Sequence, residues 1–378
     1  MQNTLREITL VGHPFSPIGT GRALRVAFAA CRSVGLQTTI KDVWNFQTPD
    51  AAQAVDIGPF VTTTYCAINV FHLNGNEIEP ALERIGPLPS GYNIVVPFWE
   101  LPRYPAEWAR QLERFDEVWA ASDYIRQSVA TAIDLPVIHM PLPTEITLDS
   151  FFSRRHFGIP EDSYAFLCFF DCRSYIMRKN PQAAVECFHR VLAARPFVRT
   201  CLVVKVHGVE FAQPEMQDFL ASLHGLHERT IMLESTMTET EVHNLIRCCD
   251  ALISLHRSEG YGLVLAEAMY LGLPVIGTGH SGNLDFMTPD NSIMIGHRLV
   301  PVPCGAYPHA EDQYWADPDL DEATARMIEL IDDPAAGRAL GARGSRSIRT
   351  GFSYRAAGLR YANRLAEIAE LNDTFRSR

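Results

Sequence analysis

From its first residues the chain alternates short apolar runs with longer amphipathic stretches. EITLVGH (7–13) is an apolar run, PFSPIGTG follows as a Gly/Pro-rich loop, and RALRVAFAACRSVG has helical spacing closed by Gly35. CAINVFHL, YNIVVPF, EVWAAS and VIHM predict further strands, with helical patterns over 103–115 and 123–133. Apolar runs of roughly four to eight residues between amphipathic helices predict a parallel sheet covered on both faces. PLPTEITLDS (141–150) reads as a linker, and then the pattern restarts with AFLCFF, RTCLVVKV, TIML, ALISL, PVIG and SIMIG as short buried strands. Two doubly wound, Rossmann-like α/β domains in series are predicted, over 1–145 and 146–353. The stretches 319–332, 334–349 and 354–371 are helical and strand-free, and the final segment, 354–378, is long enough to pack back on the first domain. Sheets of this kind bind ligands at the carboxyl ends of their strands, and paired domains place a cleft between those ends.

Composition narrows the classes. The net charge of -11 disfavours a nucleic-acid backbone as partner, and acidic residues outnumber basic ones on both sides of residue 150. No apolar run reaches the roughly 18 residues of a membrane span, and MQNTLREITL lacks the architecture of a leader, so a cytoplasmic location is expected. The nine cysteines include no C-x-x-C pair and read as small buried apolar residues in a reducing compartment. Of the 33 basic residues only Lys41, Lys179 and Lys205 are lysines. In a chain so biased toward arginine, a lysine marks a candidate position for a compact point charge.

Candidate chemistry gathers where strands give way to helices. Gly19 and Gly21 precede the first helix, a junction that lets backbone N–H groups approach an anion closely, although an ordinary tight turn explains them as well. GTGHSGN offers amides at Gly279, Gly282 and Asn283, without the G-x4-G-K-[ST] spacing of a P-loop. FDCRSYIMRKNP sets Arg173, Arg178 and Lys179 between a strand and a helix that opens on Pro181, where a phosphate would meet a guanidinium, an ammonium and the positive helix end; a solvated charged loop is the alternative. The apolar helix within GYGLVLAEAMYLGL contains Glu267, eight residues after Glu259; a buried carboxylate needs partners, either a neighbouring arginine or the hydroxyls of a ligand. Asp317, Asp319 and Asp321 form D-x-D-x-D but lack the glycine and closing glutamate of a calcium loop, and Asp321 reads as the N-cap of the helix that follows, so no metal is expected. Tyr104, Trp108, Leu112 and Phe115 have helical spacing and read as core, whereas Trp99 and Glu100, at a strand end, are placed to meet a second substrate.

Arg173-x5-Lys179, then SEGYGLVLAEAMYLGLPVI with the spacing E-x7-E, then SGN, together resemble the retaining nucleotide-sugar glycosyltransferases of the GT-B fold, group 1. PFWELPRYPAEWARQLERFDEVWAASDYI (97–125) is similar to the first domain of bacterial members that build surface polysaccharides. The resemblance implies two Rossmann-like domains facing each other across a cleft, the first binding the acceptor and the second a nucleoside-diphosphate sugar such as GDP-mannose or a UDP-sugar. It implies that Glu267 binds the ribose, that Glu259 holds the donor sugar, and that Arg173 and Lys179 neutralise the departing diphosphate; Arg178 and Lys205 are further candidates for the donor site. Transfer would need no metal and no cofactor beyond the donor. His72 would lie beside the sugar, and Asn74, Trp99 and Glu100 on the side of a saccharide or lipid-linked acceptor, the latter bringing the protein to the inner face of a membrane. Cys172 stands where that family has glycine before its phosphate arginine, which leaves the local loop geometry open. A sugar-nucleotide epimerase of the same architecture and a non-catalytic sugar-binding protein are the alternatives; the first would act on the donor without an acceptor, the second without turnover.

Overall fold

The computed structural model describes residues 7–16, 18–45, 55–211 and 213–376. Residues 1–6, on which the reading of a leaderless amino terminus rests, lie outside them. The chain divides into one unit formed by Met1–Thr144 with Thr350–Arg378 and a second formed by Glu145–Arg349.

The first unit is built on a six-stranded sheet of β1 (Glu7–Gly12), β2 (Gln37–Asp42), β3 (Ile68–Phe71), β4 (Tyr92–Val95), β5 (Glu117–Ala120) and β6 (Val137–His139). All pairings are parallel, in the order β2-β1-β3-β4-β5-β6. β2 was not expected: QTTIKD carries one strong apolar residue, Ile40, because it lies at the sheet edge, where alternation replaces the continuous apolar run of the central strands. A helix over Ile78–Ile85 is a second addition to the predicted elements.

The C-terminal helix, Tyr354–Arg376, completes this unit by packing on the helix Gly19–Ser33. Gly358 permits the close approach, since a Cβ there would lie 2.3 Å from the carbonyl oxygen of Ala30. Tyr361, Leu365 and Ile368 enter the same core as Leu10, Leu24 and Cys31, and the Tyr361 ring stacks on Trp119 at 5.1 Å. Polar anchoring comes from Glu117, fully buried on β5. Its carboxylate accepts from Arg364 at 3.0 and 2.5 Å, from Trp119 at 2.7 Å and from Tyr92 at 3.1 Å.

The second unit repeats the plan with β7 (Tyr164–Asp171), β8 (Thr200–His207), β9 (Thr230–Leu233), β10 (Ala251–Ser254), β11 (Val275–Thr278) and β12 (Ile293–Ile295). These strands are parallel in the order β12-β11-β10-β7-β8-β9. Strand order therefore reverses between β7 and β10, which is where open α/β sheets place their ligands. The predicted strands are present, but an antiparallel hairpin of β13 (His297–Pro301) and β14 (Tyr314–Pro318) was not foreseen. Its first strand, HRLVP, is largely exposed and carries no clean apolar alternation.

Arg364→Ala leaves the Glu117 carboxylate buried with its cation gone, and the expected cost is about 3–5 kcal/mol. Urea unfolding should show that loss, and the pair Glu117→Gln with Arg364→Met should recover much of it. A fall below about 1 kcal/mol, the scale of an exposed ion pair, would show that the anchor contributes little.

Candidate active site

Two segments leave the strands flanking the switch point and are stitched together. The first, 171–180, follows β7; the second, 255–259, follows β10. Arg257 donates its N–H to the Arg178 carbonyl at 2.8 Å, Arg178 Nη1 donates to the Ser258 carbonyl at 2.7 Å, and Asn180 Nδ2 donates to the Leu255 carbonyl at 2.9 Å. Asn180 has φ +51 and ends one short helical turn, Ile176–Lys179, directly before the helix Pro181–Ala194 begins. That kink brings the side chains of Arg178 and Lys179 back over the second segment.

Glu259 is the carboxylate they meet. It is buried, with Lys179 Nζ at 2.5 Å from Oε1 and Arg178 Nη1 at 3.3 Å from Oε2. Burial alone would raise its pKa, but the neighbouring Lys179 and Arg178 charges outweigh it and hold the carboxyl at about 2. The backbone of Glu259 is fixed by the loop after β11: Ser281 Oγ accepts its N–H at 2.8 Å, and Gly282 donates to its carbonyl at 2.9 Å. Gly282 is required here, because a Cβ would fall 2.1 Å from the Gly260 carbonyl oxygen.

Arg173 is held separately. Asp171 accepts its backbone N–H at 2.9 Å and its guanidinium at 2.7 and 3.0 Å, with the arginine side chain about one-third exposed, 31%. Cys172 turns its side chain into the core, so the residue in the family's glycine position is accommodated within a short 3-10 turn, Cys172–Ser174. The three cations are thus not a bare cluster: against two carboxylates they leave one net positive charge.

Glu267 lies in the helix Leu263–Tyr270, buried as the sequence indicated, with His243 Nε2 at 3.8 Å. That neighbour was not anticipated; it comes from the helix Glu239–Cys248, a separate element whose approach only the fold reveals.

Other expectations need correction. Two of the amides proposed for a ligand are consumed by the fold: Gly279 donates to Ile295 at 2.8 Å and Gly282 to Glu259. The Asn283 side chain is fully buried, bonded to His256 Nε2 at 3.0 Å and to the Thr278 carbonyl at 3.0 Å, so it shapes the loop. Lys205 is fully buried, its ammonium donating to the carbonyls of Val206 and Ser235 at 2.9 Å each; burial lowers its pKa to about 8. Gly21 is crowded by backbone, with a Cβ falling 2.5 Å from the Ser16 oxygen, whereas Gly19 faces open space. Asp319, not Asp321, caps the helix Leu320–Asp332, while Asp317 pairs with Arg257 and Arg298, and Asp321 with Arg190. No group of three His, Cys, Asp or Glu suited to a metal occurs among the described residues.

In the first unit, Trp99 is 2% exposed, packs edge-on against Trp108 and Tyr104, and donates its indole N–H to Arg103 at 2.8 Å. It is a packing residue, while Glu100 beside it is half-buried. Asn74 uses Oδ1 to accept the Phe98 N–H at 3.0 Å. His72 lines an apolar cavity with Leu10, Cys31, Trp119, Met140 and Tyr361, its ring nitrogens without hydrogen-bond partners among the described residues. Burial pushes its pKa down to about 3, so it is neutral at physiological pH. A constellation missed in the sequence joins the segments that follow β1, β2 and β3, where His13 Nε2 is 3.1 Å from Glu77 Oε1 and the His13 ring stacks on Trp44 at 3.9 Å. The position of His13 directly after the first strand was its one available signal.

A family model described as glycosyl transferases group 1 matches residues 154–346, just over half of the chain. The chain is similar to D-inositol 3-phosphate glycosyltransferase of Mycolicibacterium smegmatis, 29% identical over 130 residues, which are 34% of this chain and 28% of that protein. It is also similar to a GDP-mannose-dependent monoacylated alpha-(1-6)-phosphatidylinositol monomannoside mannosyltransferase of Corynebacterium glutamicum, 22% identical over 51% of this chain and 45% of that protein. The matched stretches span less than half the length of either curated relative. Among solved structures, Anabaena HepE in complex with UDP and glucose superposes with a TM-score of 0.67 at 13% identity, over 96% of this chain and 99% of HepE. Sucrose-phosphate synthase of Thermosynechococcus elongatus superposes with a TM-score of 0.66 at 14% identity, over 97% and 99% of the two chains. At these identities the likeness establishes the GT-B fold.

The depressed pKa of Glu259 sets the sign of an acid effect. Its contribution to stability is complete above the ordinary value of 4.5 and is lost as pH falls toward about 2. Glu259→Gln lacks that limb, so its stability deficit relative to the natural protein should shrink as pH drops through this window. Urea titrations at a series of pH values measure it; parallel curves would mean that Glu259 is not held ionised by its neighbours.

Proposed function

The chain belongs to the glycosyl transferases group 1 family, and from that premise we propose that it is a retaining glycosyltransferase. In this reading it moves a hexose from a nucleoside-diphosphate sugar, GDP-mannose or a UDP-sugar, to a hydroxyl of a saccharide or lipid-linked saccharide. The observation that carries it is the meeting of Lys179, Arg178 and Glu259 at the switch point between β7 and β10. The second unit binds the donor and the first the acceptor.

Each group has a role its surroundings support. Arg178, 3% exposed and bonded to Ser174 and Ser258, stays in place and holds Glu259. Lys179, paired with Glu259 and with 19% of its side chain exposed against 3% for Arg178, is the cation assigned to meet a diphosphate, with Arg173 as the second anion contact. Glu259, released from one of its two cations, accepts hydroxyls of the donor sugar. Glu267, a buried carboxylate in the helix Leu263–Tyr270, accepts the ribose hydroxyls.

The anomeric carbon–oxygen bond to the diphosphate breaks as the acceptor oxygen bonds to the same carbon from the same face. The acceptor proton passes to a phosphate oxygen of the leaving group. Lys179 and Arg173 act by stabilising the charge that grows on that diphosphate, the kind of preorganised electrostatic contribution that dominates many enzymes. No protein base is assigned, and none is needed where the leaving group takes the proton. Glu100 and Asn74 are the residues of the first unit we assign to the acceptor side; the neutral, enclosed His72 acts there through packing.

Incubating the protein with UDP-glucose or GDP-mannose and a panel of saccharide acceptors, in EDTA, tests this reading. Transfer with retained anomeric configuration is expected, and Lys179→Ala should lower turnover by roughly a hundredfold, as loss of one transition-state donor does. Epimerised donor without transfer, or activity that EDTA abolishes and Mn²⁺ restores, would overturn it.

A further inference from the structure

Tyr175 is outside every role assigned so far. It has φ +63 and ψ 105, in the positive-φ region that favours glycine over a bulky L residue. Its carbonyl oxygen accepts the N–H groups of both Arg178 and Lys179, at 3.1 and 3.2 Å, so the strained residue begins the turn that carries the clamp. The side chain is 43% exposed although aromatic. It meets the Tyr307 ring edge-on, with centroids 4.8 Å apart.

Tyr307 is buried, and its ring lies 5.8 Å from the guanidinium of Arg178, the residue that holds Glu259. It comes from the loop joining β13 to β14, the hairpin that sequence patterning did not disclose. That hairpin is also fastened to the other half of the site. Ala316 donates its N–H to the Arg257 carbonyl at 2.9 Å, Asp317 pairs with the Arg257 guanidinium at 2.7 Å, and that guanidinium lies over the Trp315 ring at 5.6 Å. Two residues beyond Arg257 is Glu259. The hairpin therefore contacts both segments of the site and sets Tyr307 against Tyr175, which stays 43% exposed.

We propose that Tyr175, backed by Tyr307, is a specificity-determining residue whose ring packs against the sugar of the donor. The inference rests on the nucleotide-sugar reading above and deepens it. The ring begins within four residues of Lys179, so the groups it can reach are those adjoining the diphosphate: the ribose on one side, the transferred sugar on the other. The Tyr175–Tyr307–Arg178 chain of contacts leads to Glu259, the carboxylate assigned to the sugar, and not to Glu267, assigned to the ribose. A hexose offers an apolar C–H face that suits an aromatic surface, and the exposed ring supplies one.

Calorimetric titration with UDP, GDP, UDP-glucose and GDP-mannose separates the possibilities for Tyr175→Ala, Tyr175→Gly and Tyr175→Phe. The sugar nucleotide that the natural protein binds should bind the Ala and Gly variants about tenfold more weakly, and the Phe variant within about twofold. The matching free nucleoside diphosphate should keep its affinity in all three. Tyr175→Gly also relieves the backbone strain, so its melting temperature should match or exceed that of the natural protein and a folding defect cannot mimic the result. Equal weakening of sugar nucleotide and free diphosphate would overturn the proposal by placing the ring on the nucleotide or in the geometry of the clamp. No weakening of either would overturn it by showing the ring idle. If the natural protein binds none of the four, the nucleotide-sugar reading fails first and this inference falls with it.

Discussion

A carboxylate taken out of water needs compensation, and at Glu259 two cations from a different segment provide it. This one requirement organises the carboxyl edge of the second sheet. Lys179 and Arg178 reach Glu259 because Asn180 adopts a left-handed conformation and folds their turn back. Glu259 is presented to them because Ser281 and Gly282 grip its backbone, and that loop is itself held by Asn283 through His256. Remove the ion pair and the segments after β7, β10 and β11 lose the reason for their shared geometry.

The same pairing gives the site its chemical character. In the proposed function the cations that meet the diphosphate are already paired with an anion of the protein's own, so donor binding would exchange one anion for another. A buried cation left unpaired would be costly, and a cation permanently paired could not stabilise a leaving group. In that proposal Lys179, the more exposed of the two, is the cation that turns to the ligand, while Arg178, buried and multiply bonded, keeps its hold on Glu259. The division of labour follows from residue type: the ammonium is a mobile point charge and the guanidinium a fixed fork.

Much of this was legible in the sequence. The continuous apolar runs of the central strands announced themselves, as did the buried helix around Glu267 and the cations before Pro181, because burial on all sides leaves an unbroken pattern. Edge elements were harder: QTTIKD and the β13–β14 hairpin are only partly buried, and nothing in their patterning demanded a strand. Backbone satisfaction was invisible as well. The N–H groups of Gly279 and Gly282 look available in a glycine-rich loop, but the fold spends them internally, and the choice of Asp319 over Asp321 as helix cap turns on one residue of phase. Trp99 shows the limit from the other direction, since a tryptophan at a strand end can face a ligand or fill a core, and its position among Trp108 and Tyr104 decided for the core. His256 and His243 gave no sequence signal, because their roles arise from contacts between segments distant along the chain.

The central claim is that Glu259 occupies the phosphate clamp until the donor arrives. The most direct measurement is the affinity of free UDP and GDP for Glu259→Gln against the natural protein at neutral pH, with folding of the variant verified by its melting temperature. Removing the internal anion raises the positive charge of the clamp, so the variant should bind the free nucleoside diphosphate more tightly even as transfer is lost. Weaker binding by the folded variant would contradict the account, because it would mean that Glu259 supports the diphosphate site and does not compete with its ligand.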